Sequence, residues 1–337
     1  MRLASILLAV AGLAVIAALV VHFGAGPVAH SLLTVGVPGF AVICLIQLAV
    51  VLVMGVAWWV LLPATSPWAE IWGRLVRDSA SEVLPFSQVG GYVLGARAVA
   101  VAGVSGNAAA ASTIVDVSLE FFAQLAYTAV ALLALLRIAP GSRVAEPVAF
   151  GLAVACGLAA GCFVAQRRGF GVLDRFTGAL GRGWAERTAA GAAALHAAIA
   201  DIYSRPPQVW ASFALHLACW IASAGEIWLA LRFMQVRLGF AAVLVVESLL
   251  YAIRSVAFAV PNAVGVQEGA YILLGAGFGL TPETALALSL LKRGRDFAIG
   301  LPVLGVFHLV ESGRLWRRAG NGTARNEGSL KAKPRSR

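Results

Sequence analysis

From Leu3 to Ala69 the chain contains no Asp, Glu, Lys or Arg. A run of that length holds two membrane spans of about 20 residues each. Apolar segments at 3–23, 39–62, 113–137, 147–165, 209–231 and 283–311 give six spans in all. None shows the short two-residue alternation of a membrane β-barrel strand. The pattern predicts an all-α, polytopic integral membrane protein. Residues 24–38 hold Gly24, Gly26, Pro27 and Pro38 and no charge, which predicts a loop on the outer side.

Two apolar segments do not read as plain spans. "SEVLPFSQVGGYVLGARAVAVAGVSG" covers Ser81 to Gly106, and "VPNAVGVQEGAYILLGAGFGLTP" covers Val260 to Pro282. The second holds two prolines, five glycines, Asn262, Gln267 and Glu268. Pro85 and Pro261 each open a Gly-containing run. Ser105-Gly106 and Thr281-Pro282 follow as helix starts, and Ala-rich helices come next. A single offset of 176 residues relates all these features, so the chain carries two pseudo-repeats, about 39–137 and 209–311. Identity between the copies is low: Pro85, Ala100, Gly103, Ala109 and Ala111 match their counterparts.

Irregular backbone at membrane depth is tolerated where it is buried in protein or lines a cavity. Both segments are therefore expected as re-entrant, broken-helix elements. With the N-terminus inside, Pro85 lies near the cytoplasmic side and Pro261 near the outer side. The copies are then inverted, as in many secondary transporters. "TSPWAEIWGRLVRDS" (65–79) and 239–257 are expected at the interface or half-buried. If both span, the total is eight membrane helices.

The composition agrees with a membrane protein: 60% of residues are hydrophobic and 12% charged, against roughly 25% charged in soluble domains. Mean hydropathy is +0.85. Net charge is +10. Residues 312–337 carry eight Lys/Arg and one acid, and 166–208 carry six Arg and three acids. The positive-inside rule places both in the cytoplasm, as a basic disordered tail and a cytosolic loop. Residues 1–311 then form a single transmembrane domain. Leu3–Phe23 reads as a retained first helix rather than a signal peptide. The basic tail suits topology and anionic lipid better than nucleic acid. Cys44, Cys156, Cys162 and Cys219 lie in apolar spans with no CxxC pair. The histidines show no HxxxH or HExxH spacing. No metal, cofactor or enzyme motif appears, so no catalytic residue is assigned and the chain is not expected to be an enzyme.

Intramembrane charges mark function or pairing. Asp116, Glu120 and Gln124 recur every four residues and share one helix face. Their counterparts in the second copy are Lys292, Arg293, Arg295 and Asp296. One copy is acidic where the other is basic, which predicts that the helices starting at Asn107 and Glu283 meet and neutralise each other. Glu226, Glu247 and Arg254 are further intramembrane candidates. In the dips, the candidate substrate residues are Pro85, Gln88, Gly90, Gly91, Tyr92 and Arg97 in the first. In the second they are Pro261, Asn262, Gly265, Gln267, Glu268 and Gly269. Glycine lets backbone approach a bulky lipid, and the polar groups suit a head group. Permanent pairing that only sets helix register is the alternative for the charged residues.

"VPNAVGVQEGAYILLGAGFGLTPETALALSLLKR" resembles the Pro–Gly–x–Glu-Gly element of the lysylphosphatidylglycerol synthase transmembrane-region family. Pro261, Gly265, Glu268, Gly269 and Arg293 match, while Asn262 and Ala263 stand where that family usually has glycines. "LPFSQVGGYVLGARAVAVAGVSGNAAAASTIVD" is similar to the family's first dip through Pro85, Gly90, Arg97, Ala109 and Asp116. An acidic residue common near Gly91-Tyr92 is missing. The resemblance spans roughly 40–310, and its wording is similar to the hopanoid-biosynthesis-associated inner-membrane proteins of the family. Bifunctional members add a cytosolic aminoacyl-transferase domain. Here about 26 residues follow the last span, so the resemblance implies the flippase-like, lipid-translocating module. Its implied role is moving hopanoids or related lipids from or across a bacterial inner membrane. The partners are then membrane lipids, hopanoid or phospholipid, and proteins of lipid biosynthesis or export. A scaffold in a lipid-biosynthesis complex and a lipid-modifying enzyme are the alternatives.

Overall fold

The computed structural model describes residues 2–84, 88–168, 182–257 and 260–331. Among the described residues all regular structure is helical. The order is α1 (Arg2–Phe23), α2 (Ala25–Trp59), α3 (Pro67–Val83), α4 (Gln88–Val101), α5 (Gly106–Ile138) and α6 (Ala145–Arg168). There follow α7 (Arg182–Tyr203), α8 (Pro206–Phe233), α9 (Phe240–Val256), a 3-10 turn (Pro261–Ala263), α10 (Val266–Ala276) and α11 (Pro282–Lys331). The six predicted spans fall on α1, α2, α5, α6, α8 and α11. Four of these (α2, α5, α6 and α8) are long and apolar enough to cross a membrane by length and composition.

Residues 24–38 are not the expected loop, because α2 is helical from Ala25. An apolar segment at membrane depth satisfies its own backbone by coiling. The Gly/Pro signal instead marks a break inside the helix, at Gly36 (φ 64°, ψ 171°) just before Pro38. The segment expected as a disordered tail from 312 is likewise helical to Lys331. No proline interrupts it between Pro302 and Pro334.

Helix directions follow from contacts. α2 and α8 run antiparallel: Gly39 packs on Phe233, and the Cys219 thiol reaches the Val50 carbonyl at 3.7 Å. α5 and α8 run parallel, with Asp116 beside His216 and the Glu120 carbonyl beside Trp220. α2 and α11 run parallel, with Phe40 beside Gly294 and both Gln47 and Val51 beside Ile299 and Gly300. Thus α2 opposes α8, and α5 opposes α11. The two copies, α2–α5 and α8–α11, are inverted. Partner choice is reciprocal as well: α3 packs on α11 of the other copy, and α9 packs on α5.

The re-entrant elements differ from expectation in which residues form them. Segments 65–79 and 239–257, expected at the interface or half-buried, are largely buried. They are α3 and α9, the inward limbs of two hairpins whose return limbs are α4 and α10. Glycine makes the first hairpin possible. A Cβ on Gly91 would lie 1.9 Å from the Ser81 hydroxyl and 2.7 Å from the Arg77 carbonyl. One on Gly73 would lie 2.3 Å from Val99. Gly91 therefore serves approach of helix to helix rather than of backbone to lipid. Gly91→Val should force α3 and α4 apart and lower the thermal midpoint of purified protein by several degrees. An unchanged midpoint would show that the hairpin is not packed this way.

At about 1.5 Å per residue, α10 reaches only about 16 Å, roughly half a hydrocarbon core of about 30 Å. The hairpins enter from opposite ends and touch at their tips. Arg254 at the end of α9 bonds Glu82 at the end of α3, at 2.7 and 2.9 Å. The Asn262 amide also donates to the Glu82 carbonyl.

Part of the expected cytosolic loop docks on this core. On α7, Ile199, Ile202 and Tyr203 pack with Leu61, Val115 and Leu119. The Tyr203 hydroxyl donates to Gln166 at 2.8 Å, and the Gln166 amide donates to Ser118 at 2.8 Å. Burial pushes the Tyr203 phenol up to about 12, so it remains a donor.

Candidate functional site

α3 is strongly two-faced. Its polar stripe carries Glu70, Arg74, Arg77 and Asp78, all within three or four residues of a neighbour. That stripe faces the acidic stripe of α5. Arg74 bonds Asp78 (2.8 Å) and both oxygens of Glu120 (2.7 and 3.0 Å). Arg77 bonds Asp116 at 2.6 Å and also Glu120. His216 of α8 meets the other Asp116 oxygen at 2.9 Å. Asp116 and His216 are fully buried, and both arginines are 3% exposed.

The second copy reverses the signs. Here the hairpin is acidic and the long helix basic. Lys292 of α11 bonds Glu247 of α9 at 2.8 Å, and the Tyr271 hydroxyl donates to the same carboxylate. Arg293 bonds Glu268 of α10 at 2.6 and 3.1 Å. Arg295 bonds Asp296 (2.7 and 3.0 Å) and Glu226 of α8. The expected belt between Asp116 or Glu120 and Lys292, Arg293 or Arg295 is therefore replaced. Each hairpin pairs with charges of the long helix that follows it within its own copy, while Arg295 is held by Asp296 of the same helix and Glu226 of α8. The reason is side-chain reach. α3 packs on α2, α4 and α11, and α9 on α5, α8 and α10. From there the long side chains of Arg74 and Arg77 extend to the acids of α5, and Lys292 extends from α11 to Glu247.

A cavity of about 320 Å³ opens where the hairpin tips face α2, α5, α8 and α11. Of the residues expected at the site, Tyr92, Glu120, Arg295 and Asp296 line it. Glu268 does not. It is fully buried and accepts from Arg293, from the Ser289 hydroxyl (2.9 Å) and from the Gly265 backbone N–H (2.8 Å). Gly265 holds φ 82°, which glycine adopts without strain and which turns its N–H into that bond. Gln267 bridges Arg254 and Ser289, each at 2.9 Å. Asn262, with Pro261 in the 3-10 turn, ties the second tip to the first. These residues brace the tip behind the cavity.

Gly269 has open space around its Cβ position. Gly90 lies in the first turn of α4 beside Gly91. Arg97 sits at the far end of α4, 56% exposed, and pairs with Glu311. Pro85 lies outside the described residues, and so does the side chain of Gln88.

Reading the sequence missed Arg74, Arg77, Asp78 and Glu82, because an amphipathic helix beside tryptophans resembles an interfacial one. A signal was present: the 176-residue offset pairs Asp78 with Arg254, one of the intramembrane charges. His216 carried no such signal.

Residues 3–303 match the model of a family described as the lysylphosphatidylglycerol synthase TM region. No curated protein and no solved structure matches the chain.

Proposed function

Since this chain belongs to the lysylphosphatidylglycerol synthase TM region family, a family with a membrane lipid-related function, we propose that it translocates lipids across or out of a bacterial inner membrane. One observation carries the proposal: two inverted hairpins reach inward from opposite ends and meet at a polar cavity lined by both copies. Small movements of either tip expose such a site to one side at a time, which is alternating access. The resemblance of the dips to hopanoid-associated members supports hopanoids or related amphiphiles as cargo, and proteins of lipid biosynthesis or export as partners. The chain acts as a carrier rather than an enzyme, because the cavity's carboxylates and guanidiniums are spent on one another. With the basic segments inside, both termini are cytoplasmic, and the α3–α4 hairpin enters from the cytoplasm.

Purified protein in liposomes should move a fluorescent lipid between leaflets faster than empty vesicles do. In the same vesicles, single cysteines at Ser142 and Asp201, in a cysteine-free background, should label from opposite sides. Product formation without lipid movement would replace the carrier with an enzyme. Neither movement nor product would leave a scaffold.

A further inference from the structure

We propose that the central cavity binds an uncharged, hydroxyl-rich lipid head group. Its role in selecting cargo rests on the translocation reading, whereas binding stands independently.

The cavity wall carries four arginines and four carboxylates. Arg74 is held by Asp78 and Glu120, and Arg77 by Glu120 and Asp116. Arg254 is held by Glu82, and Arg295 by Asp296 and Glu226. The charges on the wall sum to zero, four against four. An anionic phosphate either competes with these carboxylates for the guanidiniums or adds an uncompensated charge to a wall that is already neutral at membrane depth. A cationic head group meets the same obstacle with the signs exchanged.

The neutral groups are placed differently. The side-chain hydroxyls of Tyr92, Tyr251 and Ser81 and the side-chain amide of Gln47 belong to residues that line this space, the Ser81 hydroxyl lying against Gly91. Among the described residues none of them has a hydrogen-bond partner, and none is among the buried orphaned atoms. The Gln124 amide N–H₂ is committed to Ser255 at 3.1 Å, while its carbonyl oxygen stays free. Both tyrosine rings are held in place by cations: the Arg77 guanidinium carbon lies 4.8 Å from the Tyr92 ring centre, and Lys292 Nζ lies 5.0 Å from that of Tyr251. Such pre-set hydroxyls lose little freedom on binding. Charges already spent and hydroxyls and amides still open recognise other hydroxyls. About 320 Å³ is at the small end of ligand sites, room for a head group with its chains left in the bilayer.

The test uses the full chain in phosphatidylcholine nanodiscs, with octyl glucoside below its micelle concentration, octyl phosphate and octyltrimethylammonium as probes. Only the glucoside should raise the thermal midpoint in a saturable way. Tyr92→Phe and Tyr251→Phe should each weaken that binding about fivefold, the worth of one hydrogen bond, without lowering the unliganded midpoint. Saturation by octyl phosphate or the ammonium probe at lower concentration than by the glucoside would overturn the proposal. So would no saturable binding of any probe, or unchanged glucoside binding in the double variant. Glucoside binding with no movement of a sugar-headed lipid in liposomes would keep the binding site and remove the translocation reading.

Discussion

Arg77→Gln is expected to destabilise the protein by about 3–5 kcal/mol, the usual consequence of removing one partner from a buried ion pair. Arg77 is 3% exposed and bonds both Asp116 and Glu120. Its loss leaves Asp116 with His216 at 2.9 Å and Arg74 at 3.8 Å, too long to replace a direct bond. Asp116→Asn should cost a similar amount, since among the described residues Arg77 then keeps Glu120 and a long 3.8 Å contact with Asp78. The double variant should be more stable than the sum of the single losses predicts, because neither orphan charge remains. Thermal unfolding of the detergent-solubilised protein checks this. Single variants with wild-type midpoints, or strictly additive losses, would show that the pair is not coupled. Swapping Asp116 with Lys292 should not restore stability, because their partners lie in different copies.

Glu268→Gln should also destabilise, by about 1–3 kcal/mol or more, because a carboxylate facing only donors is replaced by a group that is half donor. Two Arg293 nitrogens (Nε and Nη2), the Ser289 hydroxyl and the Gly265 N–H converge on Glu268. The amide N–H₂ must face one of these donors, and Arg293 loses its only carboxylate among the described residues. Arg293 also holds the Asn262 and Ala263 carbonyls, at 3.3 and 3.4 Å. The second hairpin tip should loosen with it. The expected result is a lower thermal midpoint and faster labelling of a cysteine at Ala263, with lipid movement falling alongside. As a substrate residue, the role its place among glycines suggests, Glu268 would instead give a stable but inactive variant. A glutamine variant with the wild-type midpoint and no transport would restore that role.

Glu268 shows why the site was only partly legible. The glycines around it were visible, and so was their ability to permit close approach. Whether a lipid or Arg293 takes that space depends on α11, and Arg293 stands 25 residues further along the chain. Arg74 and Arg77 show the converse. Their spacing places them on one helix face, yet the same stripe suits an interface facing water or an interior facing carboxylates. Gly91, with Gly73 beyond it, decides for the interior by letting α4 close over α3.

The sequence by itself determined the helical class, the six long apolar segments, the two copies and their internal order. Hydrophobic runs, helix caps and a constant offset are properties of neighbouring positions, and lipid leaves an isolated segment little choice but a helix. The Gly36-Pro38 break and the inward limbs α3 and α9 came only with tertiary structure. So did the partner of each buried charge. A charge at membrane depth must be neutralised, but its spacing states only the face on which it lies. Which opposite charge meets that face is decided by the order in which the helices pack. Here that order joins each hairpin to the long helix after it and brings the two tips together at the cavity.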